Sequence, residues 1–262
     1  MPYKGLDITG QVCLITGGTS GLGKAIALGF AHAGAKVVAG SSSPAKVDAV
    51  RTELGAGHDA IPIDVADEAS VEKAVQHTIS KFGRLDAVVN AAGVIKRMPS
   101  IDLPVAEFER VVRINLTGSF IVAKAAAKAM KDQPPGPRGH RGSIVFIASL
   151  NSYISLSEVL AYASSKSGVL GLVRGLSNEW AHLGIRVNAI APGVFPTDLN
   201  RPLIEGTPRG EWLKKHTPQL RFGEAEELIG AAIYLISPSA SFTAGHTIIV
   251  DGGFLGRGVG LT

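Results

Sequence analysis

Short apolar runs rich in β-branched residues alternate with longer stretches of helical periodicity along nearly the whole chain. Runs such as QVCLIT and SIVFIA are almost continuously apolar, which is typical of strands covered on both faces. Residues 22–33 instead place apolar side chains at positions 22, 26, 30 and 33, the spacing of one helix face. This alternation predicts βαβ units, and therefore a parallel sheet with helices on both faces and right-handed crossovers.

We predict one α/β domain over residues 1–262, a doubly wound parallel sheet, because no low-complexity linker or internal repeat divides the chain. The predicted strands are residues 11–16, 36–40, 60–64, 86–90, 143–148, 186–190 and 247–250. The predicted helices are residues 22–33, 68–81, 105–130, 161–182 and 225–236. Residues 195–223 have no clear period, and such long loops inside a compact domain are often substrate lids.

Composition excludes several classes of protein. Hydrophobic residues make up 45% of the 262 positions and charged residues 18%, which supports a full core and argues against disorder. The single cysteine excludes an internal disulfide framework, and none of the seven histidines has metal-ligand spacing, so we expect no metal. The chain has no apolar run of the roughly 20 residues that a membrane helix needs, and its start has no apolar signal core. We therefore expect a cytoplasmic protein without a membrane partner.

The net charge of +4 raises the question of nucleic-acid binding. The densest basic stretch, residues 131–141 (KDQPPGPRGHR), is rich in Pro and Gly and has no aromatic side chain on which a base could stack. We interpret it as a solvated surface loop and expect no nucleic-acid partner. What the loop does is left open by the sequence.

Residues 16–23 (TGGTSGLG) join the first predicted strand to the first predicted helix. Glycines at 17, 21 and 23 permit positive φ and close approach of a pyrophosphate, and the helix N-terminus supplies free N–H groups and a positive dipole end. The spacing is G-x-x-x-G-x-G rather than G-x-G-x-x-G, and no P-loop lysine follows. In this strand–turn–helix setting, the segment predicts nucleotide binding rather than a plain tight turn.

Three serines at 41–43 follow the second strand, where such folds meet the adenosine ribose. An acidic residue there would bind the 2′-hydroxyl of NAD and an arginine would accommodate the 2′-phosphate of NADP, but neither is present. Ser41, Ser42 and the nearby Lys46 could receive a 2′-phosphate, which favours NADP, although serine is also compatible with NAD. Alternatively, the serines only cap a helix that begins at Pro44.

Two further strand ends carry polar residues. Asp64 could accept a hydrogen bond from an adenine amino group, or it could simply be a turn residue. Asn90 opens the turn NAAG at 90–93, whose small residues let a flat ring or a ribose lie against the backbone. The Asn90 side chain could instead only hold the turn.

Tyr162 and Lys166 lie four residues apart in AYASSK and therefore share one face of a predicted helix. A free tyrosine has a pKa near 10, and a neighbouring ammonium stabilises the phenolate and lowers that pKa. Ser149 ends the fifth predicted strand, at the sheet edge that faces the ligand crevice, so its hydroxyl could hold a substrate oxygen. A lone Tyr-x-x-x-Lys pair is common by chance, but together with the glycine turn and Ser149 it indicates a catalytic site.

These residues are similar to the motifs of the short-chain dehydrogenase/reductase family, over roughly residues 6–253. The resemblance is carried by TGxxxGxG at 16–23, Asp64-Val65, NAAG at 90–93, Asn115 within RINLTG, Ser149, YxxxK at 162–166, Pro192-Gly193 and Asp251-Gly252-Gly253. It implies a Rossmann sheet of seven parallel strands, an NAD(P) cofactor and hydride transfer at a CH–OH group. It also implies a homotetramer, with residues 251–253 near a subunit interface.

The resemblance assigns roles to individual residues. Tyr162 would be the general acid/base, Lys166 would lower its pKa and bind the ribose, and Ser149 would orient the substrate oxygen. Asn115 would kink its helix and hold a water in a proton relay. The residues implied to bind the cofactor are Gly17, Thr19, Ser20, Gly21, Leu22, Gly23, Ser41, Ser42, Asp64, Val65, Asn90, Ala91, Gly93, Tyr162, Lys166, Pro192, Gly193, Phe195 and Thr197.

The stretches IASLNSYISLSEVLAY and APGVFPTDLNRPLIEGTPRG resemble sugar-acid dehydrogenases of the gluconate 5-dehydrogenase or 2-deoxygluconate 3-dehydrogenase kind. Polar residues after Ser149, including Asn151, do not suggest a slot for an acyl chain. Arg97, beyond the NAAG turn, and Arg201, in the predicted lid, could attract a carboxylate. We therefore expect a small, hydroxylated, anionic substrate.

Two alternatives stay open at this point. The same scaffold serves 3-oxoacyl-[acyl-carrier-protein] reductases, and an acidic carrier protein would also be drawn to a basic rim. A nucleotide-binding regulator without catalysis is the other alternative, and the presence of Ser149, Tyr162, Lys166 and Asn115 together argues against it.

Overall fold

Seven parallel strands form a single sheet in the order β3-β2-β1-β4-β5-β6-β7 in a computed structural model that describes residues 3–198 and 200–258. The strands are β1 (Val12–Thr16), β2 (Lys36–Ser41), β3 (Asp59–Pro62), β4 (Ala87–Asn90), β5 (Gly142–Ile147), β6 (Ile185–Pro192) and β7 (Thr247–Val250). Each coincides with a predicted strand to within two residues, so the predicted parallel α/β fold is confirmed.

Helices cover both faces of the sheet. They are α1 (Gly21–His32), α2 (Pro44–Leu54), α3 (Glu68–Phe82), α4 (Val105–Val112), α5 (Gly118–Met130), α6 (Leu160–Trp180), α7 (Arg201–Ile204), α8 (Pro208–His216) and α9 (Ile229–Ile236). Within the described ranges, no helix is both long and apolar enough to cross a bilayer.

The core consists of two apolar layers separated by the sheet. One layer joins the strands to α3, α5 and α6, and the other joins them to α1, α2 and α9. Strand β1 contributes to both layers. Leu14 lies in the first layer, its neighbours Cys13 and Ile15 lie in the second, and all three are fully buried. Side chains of a strand alternate between faces, so a strand buried on both sides must be apolar throughout.

Helices α7 and α8 were not predicted from the sequence, and α2 entered only as the helix beginning at Pro44 in the alternative interpretation of the serines. In α2, only Val47, Val50 and Leu54 are buried, so its apolar face is too narrow to produce a strong periodicity. The predicted lid, residues 195–223, contains α7 and α8, and it is therefore not a plain loop. Thr207 caps α8 by accepting a hydrogen bond from the Gly210 N–H at 3.0 Å.

The sheet order creates the crevice in which ligands bind in this class of fold. The chain runs outward from β1 to β2 and β3, then returns to β4 on the other side of β1. The crossovers on the two sides of β1 therefore diverge at the carboxyl ends of the strands, and a gap opens there. The ends of β1, β4, β5 and β6 all border this gap.

A buried carboxylate fixes the outer edge of the sheet. Asp59, at the start of β3, accepts hydrogen bonds from Arg51 of α2 and from His77 and Lys81 of α3, at 3.2, 2.9 and 2.7 Å. Burial raises the pKa of the Asp59 carboxyl, but the hydrogen bonds from Lys81 and His77 outweigh it and hold the pKa well below its usual range. One anion thus ties helices of both layers to β3.

Replacing this carboxylate should destabilise the fold in a pH-dependent manner. We expect Asp59→Asn to lower the free energy of unfolding by about 1–3 kcal/mol at neutral pH, because three donors lose their anionic partner. The folded-state pKa is depressed, so the stabilisation is complete above the unfolded-state pKa of about 3.9 and is lost as the pH falls below it. Urea unfolding across this pH range measures the effect, with the exposed Asp132→Asn as control. Equal effects of the two substitutions would contradict it.

Candidate active site

A cleft with a cavity volume of about 450 Å³ lies at the carboxyl edge of the sheet. Residues predicted separately from the sequence meet in it, from the glycine turn, the NAAG turn, the end of β5, helix α6 and the segment after β6. The predicted residues that line it are Gly17, Ser20, Gly21, Leu22, Gly23, Ala91, Gly93, Ser149, Tyr162, Lys166, Pro192, Gly193, Phe195 and Thr197.

The glycine turn is packed so closely that side chains would not fit. Gly17 and Gly21 have φ values of +68° and +50°. A Cβ on Gly23 would lie 2.3 Å from the Gly17 carbonyl oxygen, so the first turn of α1 rests directly on the turn. The N-cap of α1, Ser20, makes no side-chain capping hydrogen bond. The first N–H groups of α1 are thus available to an anion in the cleft, as a pyrophosphate requires.

The adenosine end of the cleft is built from β2 and α2. Thr19 Oγ1 donates a hydrogen bond to Ser41 Oγ at 2.8 Å, which joins the glycine turn to the end of β2. Ser42 follows Ser41 directly and is exposed. Lys46, which the sequence had placed near this end, lines both the main cleft and an adjoining cavity that also contains Thr19. This arrangement can accept either a 2′-hydroxyl or a 2′-phosphate.

Six of the predicted cofactor residues do not line the cleft: Thr19, Ser41 and Ser42, at the adenosine end, and Asn90, Val65 and Asp64. Asn90 accepts a hydrogen bond from Thr16 Oγ1 at 3.0 Å and donates one to the Ser119 carbonyl at 3.2 Å, so its side chain holds β1, β4 and α5 together rather than the NAAG turn. Val65 is buried and packs against Gly118. Asp64 is exposed, and its Oδ1 accepts from the Ala66 N–H at 2.9 Å.

Lys166 lies in the floor of the cleft, one turn along α6 from Tyr162. It is 5% exposed, and its Nζ donates a hydrogen bond to the Ile147 carbonyl at 2.7 Å, at the end of β5. The same Nζ lies 5.7 Å from the centroid of the Tyr162 ring. Burial lowers the pKa of Lys166 to about 8. The helix face expected from the spacing of the two residues is therefore the face that closes the cleft.

The Tyr162 phenol is harder to ionise than expected from the sequence. Burial raises its pKa above the ordinary value, and a hydrogen-bonding contribution from Ser149 offsets this only in part. The expected lowering by Lys166 does not prevail, because desolvation penalises the phenolate and the ammonium alike. The protein by itself thus keeps Tyr162 protonated, ready to donate a proton.

Ser149 is held by its own turn. Its Oγ accepts a hydrogen bond from the Asn151 N–H at 3.1 Å, which caps the short helical turn Leu150–Ser152. The residue is 7% exposed and lines both the main cleft and a smaller cavity next to it. Its hydroxyl is therefore fixed between the two spaces, beside Tyr162.

Asn115 lies within a π-helical turn, Arg113–Thr117, that interrupts the helix predicted over residues 105–130. Its side chain bonds to both backbone groups of Val94, accepting at 2.8 Å and donating at 2.9 Å, and donates to Ser165 Oγ at 3.1 Å. It therefore fixes the loop after the NAAG turn to helix α6. π-turns occur frequently at functional sites.

The smaller cavity has a volume of about 110 Å³ and extends from Ser149 and Tyr162 toward the predicted lid. Two arginines line it. Arg97 is already paired with Glu158 at 2.5 Å, whereas Arg209, at the start of α8, has no ion pair with a carboxylate among residues 3–198 and 200–258. Burial lowers the pKa of Arg209, and Arg97 acts in the same direction.

The predicted substrate residue Arg201 does not reach this cavity. It pairs with Glu205 one turn along α7 and borders the space near Lys46 instead. The reason is the helical structure of 201–204 and 208–216, which places position 209 rather than 201 over Tyr162. Apolar side chains also line the cavity, so it is less polar than expected: Leu150, Leu156, Val159, Leu203, Ile204 and Leu213.

Two residues of the site were not singled out from the sequence. Asn200 accepts from the Thr197 N–H at 2.8 Å and donates to the Phe195 carbonyl at 3.0 Å, which holds this segment over the cleft. Arg209 was one of several cations in an aperiodic stretch. The Thr207-Pro208 helix start was the signal that could have placed it.

Known proteins share this fold and these motifs. A family model described as "Enoyl-(Acyl carrier protein) reductase" matches residues 17–255. The 2-dehydro-3-deoxy-D-gluconate 5-dehydrogenase of Formosa agariphila is 37% identical, over 95% of this chain and 94% of its own length. The D-threitol dehydrogenase of Mycolicibacterium smegmatis is 36% identical, over 94% of each chain.

Among solved structures, the gluconate 5-dehydrogenase of Burkholderia cenocepacia, in complex with NADP and tartrate, is similar with a TM-score of 0.89. It is 36% identical, and the match covers 97% of this chain and 99% of that chain. Sequence, fold and the order of the motifs agree, so this chain belongs to the short-chain dehydrogenase/reductase family.

Proposed function

We propose that the protein is an NAD(P)-dependent oxidoreductase that interconverts a secondary alcohol and a ketone in a sugar acid or related polyol. The observation that carries this proposal is the meeting of the glycine turn with Ser149, Tyr162 and Lys166 in one cleft. The names of the relatives, a sugar-acid dehydrogenase and a polyol dehydrogenase, support the same substrate class.

The cleft fits a dinucleotide. The glycines leave room for a pyrophosphate, and the uncapped start of α1 supplies N–H donors for it. The cleft extends from Lys46 to Lys166. The bound nicotinamide would accept or deliver the hydride. We propose a preference for NADP over NAD, with Ser41 and Lys46 holding the 2′-phosphate. The NADP in the related structure supports this preference.

Proton transfer belongs to the chain itself. Tyr162 donates its proton to the carbonyl oxygen during reduction and takes one from the alcohol during oxidation. Ser149 holds the same oxygen by a hydrogen bond, and Lys166, fixed by the Ile147 carbonyl, places a positive charge beside the phenol. Asn115 is a positioning residue, because its hydrogen bonds hold the Val94 backbone and Ser165 next to Lys166.

Arg209 is our candidate for the carboxylate of the substrate. It lines the cavity that holds Ser149, and Arg97 is already neutralised by Glu158. A carboxylate there would gain a charge-assisted, bidentate hydrogen bond in a partly desolvated setting. Tartrate, the small hydroxylated dianion in the related structure, has the chemistry expected of such a ligand. The cavity of about 110 Å³ leaves little room for a long acyl chain.

The proposal includes a cytoplasmic homotetramer. Family resemblance at residues 251–253 supports the assembly, and light scattering of the purified protein tests it.

Removing the phenol oxygen should abolish most activity without loss of cofactor binding. We expect Tyr162→Phe to lower kcat by about 10²–10⁴-fold, the usual contribution of a general acid/base. Absorbance at 340 nm with NAD(H) or NADP(H) and a panel of sugar acids and polyols measures turnover, and fluorescence titration measures cofactor affinity. Turnover close to that of the unmodified enzyme would refute the proposed proton transfer.

Charge near Ser41 should set the choice between NADP and NAD. Ser41→Asp should weaken NADP by like-charge repulsion and leave NAD nearly unaffected, and Lys46→Ala should also act on NADP alone. The ratio of kcat/KM for the two cofactors measures the effect, with Lys73→Ala on the exposed side of α3 as control. An unmodified enzyme that prefers NAD about tenfold would contradict the NADP preference.

The substrate carboxylate should depend on position 209 rather than 201. We expect Arg209→Ala to raise KM for gluconate-type acids by about tenfold or more, with a much smaller effect on uncharged polyols. Arg201→Ala is the matched control, because its guanidinium is paired with Glu205 outside the cavity. An acetoacetyl thioester is assayed in parallel. Faster turnover of the thioester than of sugar acids, or equal effects of the two substitutions, would reject the assignment to a sugar acid.

A further inference from the structure

A second cavity, of about 330 Å³, lies at the opposite edge of the sheet from the cleft. It is formed where strands begin: Gln11 precedes β1, Arg84 and Asp86 precede β4, and Arg141 precedes β5. Since all strands are parallel, their amino ends meet here and their carboxyl ends meet at the cleft. The two spaces are therefore separated by the length of the sheet.

The basic stretch at 131–141 forms one wall of this cavity. Most of its residues are exposed, as expected of a surface loop, but it is also hydrogen-bonded to the body of the protein. Gln133 accepts a hydrogen bond from the Leu85 N–H at 2.6 Å and donates to the Leu85 carbonyl at 2.9 Å. Arg141 donates to the Gln133 carbonyl at 3.0 Å and to the Leu183 carbonyl at 3.2 Å. The stretch is thus fixed against the starts of β4, β5 and β6.

Positive charge dominates the lining. Four arginines border the cavity, at positions 84, 138, 141 and 186. His140 also lines it but is neutral, because burial and the neighbouring Arg186 lower its pKa to about 4. Asp86 is the one carboxylate in the described lining, and it is paired with Arg84 at 2.7 Å while its other oxygen accepts from the Val12 N–H. The hydrogen bonds of the other three arginines in the described chain go to carbonyl and hydroxyl oxygens. Three positive charges are therefore left without an anion.

Arg186 is the least expected of these residues. It is 6% exposed, and it donates to the carbonyls of Leu235 and Ser237 and to Ser143 Oγ. Its Nε is buried without a hydrogen-bond partner in the described structure. Burial lowers the pKa of Arg186 to about 10. A buried guanidinium without a carboxylate is costly, and an anion that enters the cavity offsets the cost.

The backbone of Arg138, which borders this cavity, is strained. Arg138 has φ +58° and ψ +24°, in the left-handed region, which costs a non-glycine residue on the order of 1 kcal/mol. This conformation brings its guanidinium over the cavity, where Nη1 lies 3.4 Å from Ser241 Oγ. Such strain is retained most often where the geometry serves binding.

We propose that this cavity binds the phosphate group of a small phosphorylated metabolite. Three uncompensated guanidinium groups match a phosphate dianion better than a single carboxylate, and arginine forks bind phosphate oxygens in pairs. The volume of about 330 Å³ admits the phosphate with a small organic part. Thr9, Gln11 and Ser241 line the same space and supply polar groups for that part.

The test is isothermal titration of the full-length protein with glycerol 3-phosphate and with inorganic phosphate, at constant ionic strength. Saturating NADP is present, so that the glycine turn is not available to the probe. Glycerol is the control for the organic part. We expect saturable binding of glycerol 3-phosphate, tighter than that of inorganic phosphate. Equal binding of the two would identify free phosphate as the ligand of the same site and would overturn the metabolite.

Matched charge reversals locate the site. Arg138→Glu should weaken binding by about tenfold or more, whereas Arg110→Glu, the same change at an exposed arginine of α4, should leave it unaltered. Both residues lie away from the cleft, so the melting temperature without ligand reports whether each variant is folded. No saturable binding up to about 10 mM, or equal loss in both variants, would overturn the proposal. This comparison holds whether or not the proposed function is correct.

Discussion

The in-register pairing of four parallel strands is the constraint on which the active site depends. Thr16 pairs with Asn90, Asn90 with Phe146, and Ile147 with Ile190, so the strands β1, β4, β5 and β6 end at nearly the same level. The glycine turn, the NAAG turn, Ser149 and the segment after Pro192 each follow one of these ends. A slip of one residue in any pair would exchange the two faces of that strand, and since both faces are buried, the register is strongly specified. The site therefore inherits its geometry from the packing of the core.

Desolvation decides the charge state of the cleft. The Lys166 ammonium and the Tyr162 phenolate are both disfavoured by burial, and the Ile147 carbonyl compensates for only part of the cost to Lys166. The chain alone thus holds the phenol neutral, and ionisation has to be assisted by further positive charge in the cleft. In the proposed mechanism, Tyr162 is therefore a proton donor in the open cleft, and a positively charged cofactor would favour its ionisation. The hydrogen bonds of Asn115 to Val94 and Ser165 hold the loop after the NAAG turn at a fixed distance from α6.

The elements that the sequence predicted are those whose periodicity comes from the core. Strands β1 to β6 are largely buried, β7 at the sheet edge is partly exposed, and α1, α3, α5 and α6 each present a broad apolar face. The elements that escaped prediction are held by few apolar contacts: α2 buries three side chains, and α8 buries Gly210 and Leu213. The same distinction separates the proposed catalytic residues, which lie at strand ends and on α6, from the arginine proposed to bind the substrate. Arg201 and Arg209 have the same chemistry in the sequence, and only the start of α8 at Pro208 decides which of them meets Tyr162.

At the two ends of the same strands, an anion would be bound by different groups. At the carboxyl edge, the strand ends and the start of α1 present N–H groups and small residues to a phosphate. At the amino edge, we propose that side chains rather than backbone N–H groups bind an anion. The arginines at 84, 138, 141 and 186 fill that place, and only one of them is neutralised by Asp86. A chain that needed Arg186 for packing alone would gain more from an apolar residue of similar volume, since a buried ion without a counter-ion is rarely stabilising. The cost of keeping it is the physical reason to look for an anion at this edge.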